Sequence, residues 1–402
     1  MKQMRVDGDT PYLPEEIIRN ILKRLPVKSL IRFQCVCKHW KNLIQTPCFV
    51  ADHLHHSTHQ NPSLLFSCDY SREPLRLLDC EMQVREVQNT PLIDSFSSVR
   101  ILGSSNGLLC LAAEQSDLSP SALLLWNPAI REVRQLPRTK TTIYVEDSLT
   151  VGFGFSPILN DYKIVRTHAE SGYAISGVEV YSLSTNSWRK IEFGNLGAVR
   201  LLPYIVSANG SIFWHAFNLK KEVGEDSFEI IVSFDIATEL FTLIPWPALC
   251  CHTWSGISRL TVYEDKLAML YSHVTEDFQY YLIDLWVWEE QVDSSGNRWN
   301  WSKKYASSPY PCMLFPEPIW RNEIVGVDYG ISMPPLVCVE HPCETGLAML
   351  SEEPELGLHL FNVATNEIKR FDIHRHGVGS VVFNYVESLV SVGKILIEEP
   401  SS

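Results

Sequence analysis

Short apolar runs separated by turn residues fill most of the chain after Ser63, and no long amphipathic helix interrupts them. Runs of this length between turns are typical of β-strands. Two of the turns contain the pairs Asn106-Gly107 and Asn209-Gly210. An Asn-Gly pair supplies the positive φ angles that a tight hairpin needs. The pattern therefore predicts a mainly-β region over residues 63–394.

A repeat runs through this region. Each unit has a turn and a strand, then a strand that ends in an aromatic or apolar residue, then a polar turn and a further strand. The recurring residues are Leu78, Trp126, Tyr181, Phe234, Trp286 and Phe361, at spacings of 48, 55, 53, 52 and 75. A period of about 50 residues with four short strands is typical of a kelch-type propeller blade, so about 330 residues predict roughly six blades. We expect Trp126, Trp188 and Trp246 to pack between blades. The long last spacing indicates an insertion or an irregular blade, and a less regular two-sheet structure is the alternative.

The first part of the chain has a different period. Ile17, Ile21 and Leu25 recur at intervals of four, with Ile18 and Leu22 as a second stripe, which predicts a helix that ends before Pro26. Two more short helices follow before Pro47. Three such helices cannot bury this much apolar surface among themselves. Two explanations remain open on the pattern alone: a helical cap packed on the next domain, or a docking module whose spare apolar surface binds a partner.

The segment LPEEIIRNILKRLPVKSLIRFQCVCKHWKNLI, residues 13–44, resembles the F-box motif, especially in its plant form. This resemblance implies a three-helix F-box that binds a Skp-type adaptor and, through it, the cullin and RING subunits of a ubiquitin ligase. It implies that the contact surface or its immediate support consists of Leu13, Pro14, Ile17, Ile21, Leu25, Pro26, Val27, Leu30, Val36, Cys37 and Trp40. We expect a basic rim around this surface, which would steer an acidic adaptor: Lys23, Arg24, Lys28, Arg32, Lys38 and Lys41.

Ordered blocks of the remaining chain resemble the plant F-box-associated domain, with the S-locus F-box-like family as a similar group. The blocks are SSNGLLCL, LWNPAIREVRQLP, VGFGFSPILNDYKIV, VEVYSLSTNSWRKI and FNYVESLVSV. The chain is therefore interpreted as an α+β multidomain protein. We expect an F-box over residues 9–54, a linker over 55–62, a propeller-like recognition domain over 63–394 and a tail over 395–402.

Charge separates the two parts of the chain. Residues 1–54 hold 9 basic and 5 acidic residues, a net of +4, and the rest holds 34 − 9 = 25 basic and 47 − 5 = 42 acidic residues, a net of −17. An overall charge of −13 argues against general nucleic-acid binding. No run of about 18 apolar residues occurs, so the sequence predicts no membrane-spanning helix. The 11 cysteines form no C-x-x-C pair, and residues 1–14 are polar, so we expect an intracellular protein of the cytoplasm, the nucleus or both.

Candidate catalytic and metal motifs lack the context that their chemistry needs. Gly103–Gly107 matches G-x-S-x-G, but a strand follows where a nucleophile elbow requires a helix. The histidines at 53, 55, 56 and 59 fit no standard zinc spacing. We therefore expect no catalysis, no metal and no cofactor.

The connections before the aromatic strands vary in length and are acidic. The segments 113–121, 168–176, 218–227, 271–279 and 351–357 hold 11 acidic and 2 basic residues. Equivalent connections of a propeller open on one face, which predicts an acidic face for a basic protein client. The alternative is that these charges only solvate exposed loops. The candidate residues are Glu114, Asp117, Glu170, Tyr173, Glu222, Glu225, Asp226, Glu276, Asp277, Glu352, Glu353 and Glu355.

Together these features predict the substrate-recognition subunit of a Skp–cullin–F-box ubiquitin ligase. The F-box would hold the adaptor, and the β-domain would hold a protein client, with no nucleic-acid or membrane partner. Two alternatives stay open. One is an adaptor-bound scaffold without a role in ubiquitin transfer, and the other is a propeller lectin or enzyme with a helical cap.

Overall fold

Four helices open the part of the chain that the structure describes. The computed structural model describes residues 13–68, 74–114, 122–138, 150–169, 175–221, 228–247, 256–275, 279–293, 296–328, 356–373 and 380–393. The helices are α1 (Glu15–Leu22), α2 (Val27–Phe33), α3 (Lys38–Gln45) and α4 (Pro47–Gln60). Pro14 and Pro26 directly precede the first two, where the missing N–H costs no helical hydrogen bond. None of the described helices is long and apolar enough to cross a membrane.

Six antiparallel sheets of four strands follow among the described residues, and each sheet is one blade of a propeller. The first blade contains β1 (Ser63–Cys68), β2 (Arg76–Leu78), β3 (Val84–Glu86) and the last strand of the chain, β24 (Ser380–Tyr385). The second contains β4 (Ser98–Ser105), β5 (Leu108–Glu114), β6 (Ala122–Asn127) and β7 (Glu132–Gln135), and α5 (Pro91–Asp94) precedes it. The third contains β8 (Thr150–Ser156), β9 (Asp161–Ala169), β10 (Ile175–Ser182) and β11 (Ser187–Ile191).

The remaining blades repeat this order. The fourth contains β12 (Val199–Ala208), β13 (Ser211–Asn218), β14 (Glu229–Asp235) and β15 (Phe241–Pro245). The fifth contains β16 (Ile257–Tyr263), β17 (Lys266–Val274), β18 (Tyr281–Asp293) and β19 (Gly296–Ala306). The sixth contains β20 (Phe315–Trp320), β21 (Glu323–Asp328), β22 (Leu356–Asn362) and β23 (Ile368–Ile373). The predicted helical segment followed by six blades is confirmed, and the two-sheet alternative is wrong.

The recurring residue of the sequence repeat lies on the third strand of every blade. In the second, fourth and sixth blades, the polar residue that follows it holds the next turn. The side-chain oxygens of Asn127, Asp235 and Asn362 accept hydrogen bonds from backbone N–H groups two or three residues ahead, at 3.0, 2.7 and 2.9 Å. Such Asx turns favour a tight reversal of the chain. The spacing of 75 before Phe361 arises because the second and third strands of the sixth blade are joined by residues 329–355.

Each boundary between neighbouring blades holds its own hydrophobic core, so six cores surround the axis. Successive residues of one strand point into different cores. Leu109 and Leu111 face the first blade, whereas Leu108 and Cys110 face the third. A strand that is buried on both faces has no polar side, which is why its sequence reads as a continuous apolar run. Trp126, Trp188 and Trp246 all pack in these boundaries, as predicted from their positions.

The first and last strands of the propeller close the ring. β24 pairs antiparallel with β1 over six residue pairs, from Ser63–Tyr385 to Cys68–Ser380. β24 therefore takes the place that the first strand has in the other blades. The first strands of neighbouring blades contact one another around the whole ring, including β24 with β4 and β20. Among the described strands no blade boundary is left open, so each of these six sheets packs against a neighbour on both faces.

One predicted boundary is wrong. Residues 55–62 were expected to form a linker after a helix that ends at Pro47, but α4 begins at Pro47 and continues to Gln60. The Oγ of Thr46 accepts the N–H of Phe49 at 3.3 Å, and Pro47 occupies the first turn, where proline is tolerated. Phe49, His53 and Ser57 form the buried stripe of α4. Two of these three residues are polar, so the pattern of apolar residues in the sequence does not predict this helix.

We predict that Gly107→Ala destabilises the chain by about 1–3 kcal/mol more than Gly210→Ala. Both glycines follow Asn at a hairpin turn, with φ of 80° and 77°, so alanine meets the same backbone strain at both. A Cβ at 107 would lie 2.6 Å from the carbonyl oxygen of Val386, whereas at 210 its nearest neighbour is Cδ of Pro157 at 3.4 Å. Urea unfolding of both variants measures the difference. Equal losses would show that the segment after β24 is not packed against this turn.

Candidate functional site

A stripe of apolar side chains runs along the outside of α1. Ile17 and Ile21 are 45% and 49% exposed on this helix, and Leu13, two residues before the helix begins, continues the stripe and is 51% exposed. Ile18 and Leu22, one position further along, are buried in the core of the helical segment. Positions four apart share one helix face, so α1 has one apolar side for its own core and a second that faces outward.

The structure divides the predicted adaptor-binding residues into two groups. The exposed group comprises Leu13, Pro14, Ile17, Ile21, Pro26, Val36 and Cys37. The supporting group comprises Leu25, Val27, Leu30 and Trp40, of which Val27 and Leu30 are fully buried and the other two pack against the same core. Cys37 also begins α3, since its sulfur accepts the N–H of Trp40 at 3.4 Å. The sequence pattern alone did not separate surface from support.

One exposed apolar residue of the helical segment is absent from the contact surface predicted from the sequence. Ile31 on α2 is 40% exposed. Its neighbour Leu30 is fully buried. Adjacent residues of a helix are about 100° apart, so only one member of a Leu-Ile pair on a short helix faces its core. The adjacent apolar pair Leu30-Ile31 was therefore the sequence signal that one of the two side chains faces outward. The basic residues predicted as a rim are exposed at positions 24, 28, 32, 38 and 41, and half-buried at 23.

The helical segment is fixed to one end of the propeller. Its core includes Leu389, with Ala129 and Ile130 packed beside it from the turn between β6 and β7. At the start of α2, the backbone N–H of Val27 donates to Oε2 of Glu387 at 3.3 Å. A carboxylate at this position also interacts favourably with the positive end of the helix.

Residues 386–393, which follow β24, form the platform beneath these helices. Buried Asn127 donates from Nδ2 to the carbonyl oxygens of Ser388 and Val390, at 3.0 and 2.7 Å. Glu132 accepts the hydroxyl of Ser391 at 2.6 Å. The end of the chain is therefore held by the second blade while it supports the helices at the start of the chain.

The acidic segments predicted to bind a client correspond to equivalent connections. Each joins the second strand of a blade to the third; we call these the 2–3 connections. Because strands alternate in direction, the described strand ends that flank the 2–3 connections lie at the end of the blades opposite the hairpin turn that contacts the helices. Glu114 lies at the end of β5, where its Oε2 accepts the hydroxyl of Ser98 at 3.0 Å. The other candidates lie outside the described residues: Asp117, Glu170, Tyr173, Glu222, Glu225, Asp226, Glu276, Asp277, Glu352, Glu353 and Glu355.

Buried carboxylates on the described third strands already have cationic partners. Burial by itself would raise the pKa of Glu179, but hydrogen bonding and charge from Arg166, with His168, lower it overall. The pKa of Asp284 is lowered in the same way, against its burial, by His273 and Lys303. These groups stabilise the blades as ion pairs and do not form an acidic surface.

The histidines at 53, 55, 56 and 59 do not converge. His53 is buried and its Nε2 lies 3.0 Å from the carbonyl oxygen of Leu25. The rings of His55 and His59 contact each other on the exposed side of the helix, with centroids 4.7 Å apart and planes tilted by 42°. Among the described residues, no group of three or more His, Cys, Asp or Glu side chains is placed to hold a metal ion.

Comparison with known families decides the identity of the two regions. Residues 11–52 match the F-box domain, and residues 61–392 match the F-box associated beta propeller domain. The chain is an F-box protein. It belongs to the family that carries an F-box-associated β-propeller.

Curated relatives come from Arabidopsis thaliana. The F-box protein CPR1 is 30% identical over 58% of this chain and 60% of its own length. The putative F-box protein At4g38870 is 28% identical over 77% of this chain and 71% of its own length. The chain thus spans about three-fifths of the first of these relatives. The resemblance to the S-locus F-box-like family stays a prediction.

Solved structures with some likeness share little sequence with this chain. The β-propeller domain of the trilobed protease from Pyrococcus furiosus is 14% identical, with a TM-score of 0.36 over 67% of this chain and 68% of that chain. The Aleuria aurantia lectin is 8% identical, with a TM-score of 0.36 over 77% of this chain and 94% of that chain.

We predict that acid weakens the attachment of the F-box helices through His53. Burial lowers the pKa of His53 below its ordinary 6.5, so the folded chain favours the neutral ring. The stabilisation is complete above pH 6.5 and is lost as the pH falls below it, because the unfolded chain takes up the proton first. His53→Gln keeps a side-chain donor for Leu25 without titrating. Between pH 7 and about pH 5, the protection factors of the amides in α2 and α4, which are corrected for the intrinsic pH dependence of exchange, should therefore fall less steeply in this variant. The same slope in both proteins would contradict the role of His53.

Proposed function

We propose that this F-box protein is the substrate-recognition subunit of a Skp–cullin–F-box ubiquitin ligase, acting in the cytoplasm, the nucleus or both. The observation that carries the proposal is the exposed apolar stripe of α1 in a folded F-box. Leu13, Ile17 and Ile21 stay about half exposed although the helices have a complete core and a firm attachment to the propeller. A cap that served only the propeller would turn this side inward.

The chemistry of the stripe fits a protein partner. Covering a large aliphatic side chain releases roughly 1.5–3 kcal/mol when it starts fully exposed, so three half-exposed side chains supply several kcal/mol together. Exposed Val36 and Ile31 add apolar surface on the neighbouring helices. The basic residues around them favour an acidic adaptor and speed its association. In this proposal the adaptor links the chain to the cullin and RING subunits.

The propeller takes the second role, which is to hold a protein client. The described strand ends that flank the 2–3 connections lie at the end away from the F-box, so an adaptor and a client held there would not compete for the same end of the blades. This arrangement needs no catalytic group in the chain. Ubiquitin transfer follows from proximity, because the complex raises the local concentration of the charged ubiquitin carrier around client lysines.

We predict that Ile17→Ser with Ile21→Ser weakens binding to a purified Skp-type adaptor by about 100-fold. The variant should unfold within about 0.5 kcal/mol of the unchanged chain, because both positions face outward. Isothermal titration and urea unfolding measure the two effects. Ile158→Ser is the matched control: this isoleucine is 82% exposed in the hairpin turn between β8 and β9, far along the chain from the F-box. Unchanged adaptor affinity in the folded double variant would rule out the stripe as the contact.

A second prediction concerns the client surface. Reversing the charge at Glu222, Glu225 and Asp226, together with Glu352 and Glu353, should abolish recovery of basic client proteins in affinity capture from plant extract. Adaptor affinity should stay unchanged, since the F-box lies at the other end of the blades. A matched variant neutralises Glu289, an acidic residue that is already paired with Lys304 and Lys266, and should capture the same proteins as the unchanged chain. Retained clients in the charge-reversed protein would reject an acidic client face.

A further inference from the structure

The fifth blade carries an unusually long hairpin. β18 has 13 residues and β19 has 11, whereas the third and fourth strands of the other blades have at most 8 and 6. The pairing of β17 with β18 reaches only Ala268–Val287. β18 and β19 remain paired as far as Asp293–Gly296. The outer part of this hairpin therefore extends beyond the second strand of its own blade.

Three tryptophans form a ladder along one face of this hairpin. Trp301 is 8% exposed, and its indole N–H donates to the carbonyl oxygen of Pro245 at 2.8 Å, which fixes it to the fourth blade. Its cross-strand partner Trp288 is half-buried, with ring centroids 5.5 Å apart. Trp299 stacks on Trp288 at 6.1 Å with planes 27° apart, and it is 56% exposed. The ladder runs from the core between two blades to solvent, so the outermost indole is held in place but uncovered.

A carboxylate shares the face of the exposed indole. Glu290 is directly opposite Trp299 in the register of the hairpin. Opposite residues of an antiparallel pair have their side chains on the same face, about 5 Å apart at Cβ. Glu290 is exposed, and it makes no ion pair with any residue in the described part of the chain. Its neighbour Glu289 points to the other face, where Lys266 and Lys304 neutralise it.

We propose that Trp288, Trp299 and Glu290 form a docking site for a lysine or arginine side chain on an extended segment of a partner protein. The face of an indole attracts a cation through its quadrupole, and tryptophan does so best among the aromatic residues. Glu290 supplies a full negative charge beside that face. Arg298 does not occupy the site, because it is opposite Gln291 in the register and so belongs to the other face.

Charge selects the class of partner. Nucleic-acid bases also stack on tryptophan, but phosphates would be repelled by Glu290 and by a chain with a net charge of −13. A sugar ring would stack without using the carboxylate charge. A cationic side chain uses both features of the site. The inference does not depend on the proposed function, because it rests only on the hairpin of the fifth blade.

The test follows Trp299 directly in the full chain. Protein labelled with 5-fluorotryptophan gives one fluorine resonance for each indole, and Trp299→Phe identifies the resonance of Trp299. The probes are blocked pentapeptides of alternating glycine and arginine or glycine and lysine, the corresponding glutamate peptide, and cellotetraose. The arginine and lysine peptides should shift the Trp299 resonance in a saturable manner, and added salt should weaken the binding.

Variants separate the cation site from simple stacking. Glu290→Gln should weaken binding of the arginine peptide by about fivefold, and Trp299→Ala should remove most of it. Leu240→Ala is the control, since this leucine is 64% exposed in a hairpin turn of the fourth blade and should leave the affinity unchanged. Thermal unfolding should be the same for all three variants. The proposal is overturned if the glutamate peptide or cellotetraose shifts Trp299 as strongly as the arginine peptide. A lack of response to any cationic peptide, or an affinity that ignores Glu290→Gln, also overturns it.

Discussion

The pairing of β24 with β1 is the interaction on which the rest of the structure depends. It joins residues more than 300 positions apart and turns a row of blades into a ring. Every blade has apolar side chains on both faces, so a row that stayed open would expose two of these faces to water. Closure brings them together as the sixth boundary core, in which Leu64 and Val382 of the first blade meet Trp320 and Leu360 of the sixth. Because this closure joins distant parts of the chain, the intact ring depends on β24.

The same strand determines where the F-box lies. β24 ends at the hairpin end of the blades, and residues 386–393 continue from it across the second blade, held by Asn127 and Glu132. The F-box core packs on Leu389, and Glu387 meets the start of α2. The attachment therefore uses the beginning and the end of the chain together. The inward stripe of α1 is buried in this assembly, the outward stripe remains exposed, and the described strand ends that flank the 2–3 connections lie at the opposite end.

Particular residues show how far the sequence could be read. Leu78, Trp126, Tyr181, Phe234, Trp286 and Phe361 predicted six units, and all six lie buried on third strands because every unit repeats the same strand order. α4 was missed because its buried stripe includes His53 and Ser57. His53 tolerates burial through one hydrogen bond to Leu25, a partner 28 residues away that no local pattern reveals. Trp299 carries no sequence signal that separates it from the buried tryptophans, and only the length of its hairpin carries it into solvent.

The sequence by itself determined the local and periodic features of this protein: the F-box motif, the number of blades, the position of the hairpin turns and the acidic character of the 2–3 connections. These depend on the spacing of residues along the chain, which is visible without coordinates. The tertiary structure alone decided which apolar residues of the F-box face outward, where α4 runs, and which tryptophan is uncovered. Burial is set by which segments meet in space, and here the segments that cover Val27 and Leu30 include the far end of the chain.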